Sequence, residues 1–94
     1  MSIGLLTLHL RLPGCGSLKE KRSRLKPLLA RLHREFNISA AEVDFLDKWQ
    51  ETLIACAVVS NDTRQNQRLL QHIIDWVERN WPDVDVIAEQ MEMI

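Results

Sequence analysis

Apolar and polar positions divide the chain into six segments whose period changes in the order strand, helix, strand, strand, helix, strand. From Ile3 to Leu12, Leu6, Leu8, Leu10 and Leu12 alternate with Leu5, Thr7, His9 and Arg11. A period of two with a polar second face predicts a strand with one side on the core. Pro13-Gly14-Cys15-Gly16 ends it. Leu18, Leu25, Leu28, Leu29, Leu32 and Phe36 then recur at helical spacing, which predicts a helix from Ser17 to about Phe36. Pro27 falls inside it and removes one hydrogen bond to the carbonyl of Ser23, so a kink or brief break is expected there.

Asn37 is a candidate C-cap. Ile38–Asp47 predicts a second strand, with Glu42 and Asp44 on its polar face. After a turn near Asp47-Lys48, residues Gln50–Ser60 include LIACAVV, apolar at every position. A strand without alternation is buried on both sides and belongs at the centre of a sheet. Asn61 or Asp62 caps a second helix whose stripe is Leu69, Leu70, Ile73, Ile74 and Val77, and Pro82 stops it. Val84–Ile94 supplies a last strand. The expected fold class is α+β: residues 1–94 form a single ferredoxin-like βαββαβ domain, a four-stranded antiparallel sheet with two helices on one face. Right-handed crossovers put the first and third strands in the middle.

Composition narrows the class. With 46% apolar and 27% charged residues, the 94-residue chain is globular rather than disordered. No apolar run approaches the roughly 20 residues of a membrane span, and MSIGLLTLHLRL has no basic leader region, so no membrane role and a cytoplasmic location are expected. Two cysteines, Cys15 and Cys56, are too few for a disulfide framework and are expected as reduced thiols. The net charge of −1 hides an asymmetry: residues 1–36 carry eight Lys/Arg against two acidic residues, and residues 37–94 carry four against eleven.

That positive charge concentrates in SLKEKRSR, Ser17 to Arg24. Ser17 and Glu20 have the spacing of a capping box, in which the hydroxyl accepts from the amide of Glu20 and the carboxylate from the amide of Ser17. Lys19, Lys21, Arg22 and Arg24 follow in the first two turns, where the helix dipole prefers acids. Cations accumulated against a positive helix end fit an anion-binding surface; a merely solvated helix face fits equally. Lys26, Arg31 and Arg34 extend the patch.

Taken in order, SLKEKR, FNISAAEVD, DKWQ and VVSND resemble the YlxP-like bacterial family, a domain of unknown function, over nearly the whole chain. The resemblance implies a ferredoxin-like fold and a gene neighbourhood of translation and ribosome-maturation factors. It implies no activity and no catalytic residues.

Enzymatic readings meet obstacles in the spacing. The PGCGS loop precedes a helix as phosphate loops do, but lacks the glycine and lysine spacing of a nucleotide site. A cysteine phosphatase needs an arginine six positions after its cysteine, but Lys21 holds that position after Cys15 and Arg22 is one beyond. The glycine-valine loop of acylphosphatases, which share this fold, is missing. His9, His33 and His72 have no metal-ligand spacing. No catalytic residue, cofactor, metal or small-molecule substrate is therefore assigned. RNA-recognition domains of related shape stack bases on aromatics of the two central strands, and neither strand here has Phe or Tyr.

Two functional expectations remain. The first is a non-enzymatic accessory factor contacting RNA or a ribosomal particle through Lys19, Lys21, Arg22, Arg24, Lys26, Arg31 and Arg34, so that charge reversal at Lys21 and Arg22 alters binding and leaves stability unchanged. The second is a protein-interaction module. Because the third strand is apolar on both sides, one side stays apolar on the open sheet face. Ile54, Cys56 and Val58 are assigned to that face with Leu5, and His9 and Arg11 to its rim, covered by a second copy or a partner. Trp49, just past the hairpin turn, either covers the sheet end or anchors a partner, packing being the simpler assignment.

Overall fold

A computed structural model describes residues 1–94. The elements are β1 (Ser2–Arg11), α1 (Leu18–Phe36), β2 (Ser39–Asp44), β3 (Glu51–Ser60), α2 (Thr63–Asn80) and β4 (Asp85–Met93). All pairings are antiparallel and the sheet order is β2-β3-β1-β4, so β1 and β3 are central. This is the ferredoxin-like arrangement expected from the periodicities. No helix is long and apolar enough to cross a membrane.

Both helices cover one face of the sheet. Leu6, Leu8 and Leu10 of β1, and Leu12 just after it, are fully buried beneath them, with Leu25, Leu28 and Leu32 of α1 and Leu70, Ile73, Ile74 and Val77 of α2. The register decides which side of β3 joins this core. Leu8 lies opposite Ile54, Leu6 opposite Cys56 and Gly4 opposite Val58. Directly opposed residues of an antiparallel pair share a face, so Ile54 and Cys56 are completely buried and Val58 packs at their side. The assignment of these three to the open face is thereby corrected. Leu53, Ala55, Ala57 and Val59 take that face, opposite His9, Thr7, Leu5 and Ile3. The placement of Leu5, His9 and Arg11 there agrees with the alternation of β1.

Pro27 does not break α1, which runs unbroken from Leu18 to Phe36. Ser23 and Pro27 are both exposed, so the carbonyl deprived of its donor is left to water rather than buried. The helix start also differs in detail. Ser17 Oγ accepts from the Glu20 amide at 3.0 Å, but Glu20 Oε2 accepts from Gly16, at 2.8 Å, rather than from Ser17. Asn37 caps the other end in a left-handed conformation, its amide donating to the His33 carbonyl.

Two buried polar clusters sit at opposite ends of β3. At one end Asn66 of α2 donates to the Ser2 carbonyl at 3.3 Å and its Oδ1 accepts from Ser60 Oγ at 2.8 Å. Gly4 lies beside this cluster and lets α2 come close: a Cβ there would stand 3.0 Å from Leu70 Cδ1 and 3.1 Å from Val58 Cγ1. At the other end Lys21, only 1% exposed, forms an ion pair through Nζ with Glu42 Oε2 at 2.7 Å, and the same carboxylate oxygen accepts from Thr52 Oγ1 at 2.7 Å. Lys21 Nζ also donates to the Phe45 carbonyl at 2.7 Å. Phe45 has φ of 59°, a conformation that costs an aromatic residue energy. The Lys21 bond and the Asp44 carboxylate, which accepts from the Phe45 amide at 2.7 Å, hold it there.

Candidate nucleic-acid interface

The seven cations assigned to the first helix separate into two groups. Three already have partners within the chain, Lys21 in the interior and Arg24 and Arg31 at the surface. Lys21 is buried in the ion pair just described and is unavailable to a phosphate. Arg24 donates to Asp83 Oδ2 at 3.0 Å, to the Asp83 carbonyl and to the Pro13 carbonyl at 2.9 Å, tying α1 to the segments before it and before β4. Arg31 pairs with Glu35 at 3.2 Å and lies over the Trp76 ring at 5.6 Å. These three are structural contacts, and the patch read from the sequence shrinks accordingly.

Lys19, Arg22, Lys26 and Arg34 are exposed and make no ion pair. At about 100° per residue, Lys19, Arg22, Lys26 and the exposed His33 fall within roughly 60° of one another on the helix circumference. Arg34 lies on the flank of that stripe. The two acids of α1 point elsewhere: Glu20 is used in the cap and Glu35 by Arg31. Arg22 and Lys26 also line a groove with Leu25, Leu29 and Glu42, between α1 and β2.

Charge is segregated by layer. The two helices carry ten Lys/Arg against four Asp/Glu, a balance of +6. The sheet and loops carry two against nine, a balance of −7, and together these give the −1 of the chain. The sequence division at residue 36 missed that Arg64, Arg68 and Arg79 of α2 join the positive layer. Asp75 and Glu78 dilute them in the linear sequence, and only the layering of helix on sheet separates the signs.

The remaining candidate groups are quiet. Cys15 is fully buried, its Sγ 3.5 Å from the Ser17 carbonyl, and burial together with the Glu20 carboxylate raises its pKa. Burial pushes the Cys56 thiol up to about 12. Neither is poised as a thiolate nucleophile. The three histidines do not converge, and no group of three or more His, Cys, Asp or Glu side chains has metal-holding geometry. His9 packs against Phe45 with the rings tilted at 41° and 5.1 Å between centroids, and its Nε2 is 3.4 Å from Glu51 Oε1 but not aligned as a hydrogen bond. So an aromatic ring does reach the open sheet face, from the hairpin rather than from a central strand. Lys48 Nζ covers it at 4.7 Å, leaving no bare platform for a base. Trp49 is 52% exposed and lines a groove with Arg11, Asp47, Lys48, Gln50 and Glu51, so it does not pack as a cover for the sheet end.

Comparison with known proteins places the chain. The family described as "Protein of unknown function (DUF503)" matches residues 3–91. The chain is also 37% identical over 70 residues to the uncharacterized protein YlxP of Bacillus subtilis (strain 168), covering 74% of this chain and 75% of that protein.

Proposed function

The chain belongs to the family of unknown function DUF503, which brings no activity with it, and we propose that it is a non-enzymatic, cytoplasmic accessory factor that contacts structured RNA through the exposed side of α1. The observation that carries this reading is the stripe of Lys19, Arg22 and Lys26, flanked by Arg34, unpaired on the positive layer. A solvated helix face needs no such stripe, and exposed cations usually sit among acids that reduce their mutual repulsion. A polyanion reverses the balance, because each phosphate neutralised releases condensed counterions. Sequence is not read by these contacts, so the expected partner is a folded RNA recognised by backbone and shape, a ribosomal particle being the source to try first.

The test is filter binding of a structured ribosomal RNA fragment at 50 and 200 mM salt. With about four phosphate contacts, affinity falls on the order of a hundredfold across that range. Lys19→Glu/Arg22→Glu/Lys26→Glu is expected to abolish binding and leave thermal unfolding unchanged. Salt-independent binding, or full binding by the triple variant, sinks the proposal.

A further inference from the structure

The open sheet face is the opposite in character to the helix layer. Every large apolar side chain that is strongly exposed lies in the sheet, its hairpin or a terminus: Met1, Val43, Leu46, Trp49, Val59, Ile87 and Ile94; none is on a helix. The centre of the open face is apolar and shallow, with Leu5, Ala55 and Ala57 on the two middle strands and Ala41 and Ala88 beside them. Its rim is acidic. Asp44 on β2 lies opposite Leu53, Glu92 on β4 opposite Leu5, and Glu51 and Asp85 flank Arg11. With Lys48 drawn to Glu51 at 3.1 Å, four carboxylates face two cations.

We propose that this face docks a cationic amphipathic helix of a partner protein. The pleat that takes two helices on one side offers the other side to a third. Nine to ten residues per long strand at about 3.3 Å, and four strands about 4.8 Å apart, make a face of roughly 30 by 20 Å. A helix of about 18 residues is ~27 Å long and spans it. Charge selects the occupant. A second copy stacked face to face about either in-plane twofold lays an acidic edge on an acidic edge, because β2 and β4 both carry carboxylates. A second copy offering its helix layer brings the right sign but no strongly exposed large apolar side chain to fill the centre. Only a segment with an apolar stripe flanked by Lys or Arg satisfies both.

The proposal is independent of the RNA contact, which uses the opposite layer. The probe is an 18-residue leucine-lysine amphipathic peptide, with a leucine-glutamate peptide of the same apolar stripe as control, titrated at physiological salt and followed by amide shifts and calorimetry. The lysine peptide is expected to bind saturably and move the amides of Leu5, Thr7, Ala55 and Ala57. Asp85→Lys/Glu92→Lys is expected to weaken it about tenfold, two rim pairs becoming repulsive, and to admit the glutamate peptide. Ala57→Arg is expected to abolish binding with unfolding unchanged. The RNA-defective triple variant is expected to bind peptide normally. Equal binding of both peptides, shifts confined to α1 and α2, no saturable binding, or a wild-type dimer with protected open-face amides overturns the proposal.

Discussion

Lys21→Glu is the substitution on which the structure and the charge pattern disagree most sharply. As part of a surface patch, Lys21 would be replaceable at no cost to stability. In the fold its Nζ sits 2.7 Å from both Glu42 Oε2 and the Phe45 carbonyl, with the side chain 2% exposed and Glu42 18% exposed. The substitution sets two carboxylates against each other and strips the donor that holds Phe45 at positive φ. Breaking a buried pair on one side costs about 3–5 kcal/mol, and the partial exposure of Glu42 places this case near the lower end, about 3 kcal/mol. A domain of this length has a total stability of roughly 5–14 kcal/mol. The loss corresponds to a fall in Tm of about 12–24 °C. Urea unfolding at neutral pH measures it directly, with Arg22→Glu as the neighbour expected to stay within about 0.5 kcal/mol of wild type. The apolar replacement Lys21→Met/Glu42→Leu is expected to recover most of the loss, since the cost lies in an unmatched charge rather than a missing bond. A Lys21→Glu protein within 1 kcal/mol of wild type refutes the reasoning.

Gly4→Ala is expected to destabilise by about 1–3 kcal/mol in the same assay, because its Cβ would press Leu70 and Val58; an unchanged midpoint means α2 yields freely there. Ser17→Ala is expected to cost about 1 kcal/mol through the lost cap, read as a shift in urea midpoint. Hydrogen bonds from Cys15 and the Gly16 amide lower the Glu20 pKa below its ordinary 4.5. Its contribution is therefore present above that pH and is lost as pH falls through the depressed value. Unfolding curves from pH 6 to 3 are expected to show a shallower acid loss for Glu20→Gln. Both thiols are buried with raised pKa values, so a thiol reagent at pH 8 is expected to titrate none in the native protein and two in denaturant; a fast-reacting thiol in the native state contradicts the packing.

Element order, strand order and the buried side of β1 were legible because each rests on a period or a handedness rule. The buried side of β3 was not. Leu53 to Val59 is apolar throughout, so the side facing the helices is set by register with β1, a long-range pairing that leaves no local mark. The basic helix was legible as a composition but not as a surface. Lys19 and Lys21 are two residues apart and so lie on opposite sides of α1, yet either side reads as polar until its partner is known. Glu42, which captures Lys21, is 21 residues away on an edge strand. The acid rim of the open face likewise depends on which residues of β2 and β4 lie opposite Leu53 and Leu5.

The double-sided apolar character of β3 has a consequence for uniqueness. Sliding this strand by one residue exchanges Leu53, Ala55 and Ala57 for Ile54, Cys56 and Val58, one apolar set for another, so the slip drives no polar side chain of the strand centre into the core and costs in burial only the volume lost where Ala55 and Ala57 replace Cys56 and Val58. What the slip destroys is polar. It turns Thr52 away from Glu42 at one end and Ser60 away from Asn66 at the other. The two buried clusters thus act as pins at the ends of an otherwise featureless ruler, the best-attested use of a buried polar group being to choose among nearly equal packings. Removing both, as in Lys21→Met/Glu42→Leu/Asn66→Leu, is expected to leave a protein of ordinary helix content whose β3 amides give doubled resonances from two registers. A single sharp set in that variant would assign the choice of register to the turns instead.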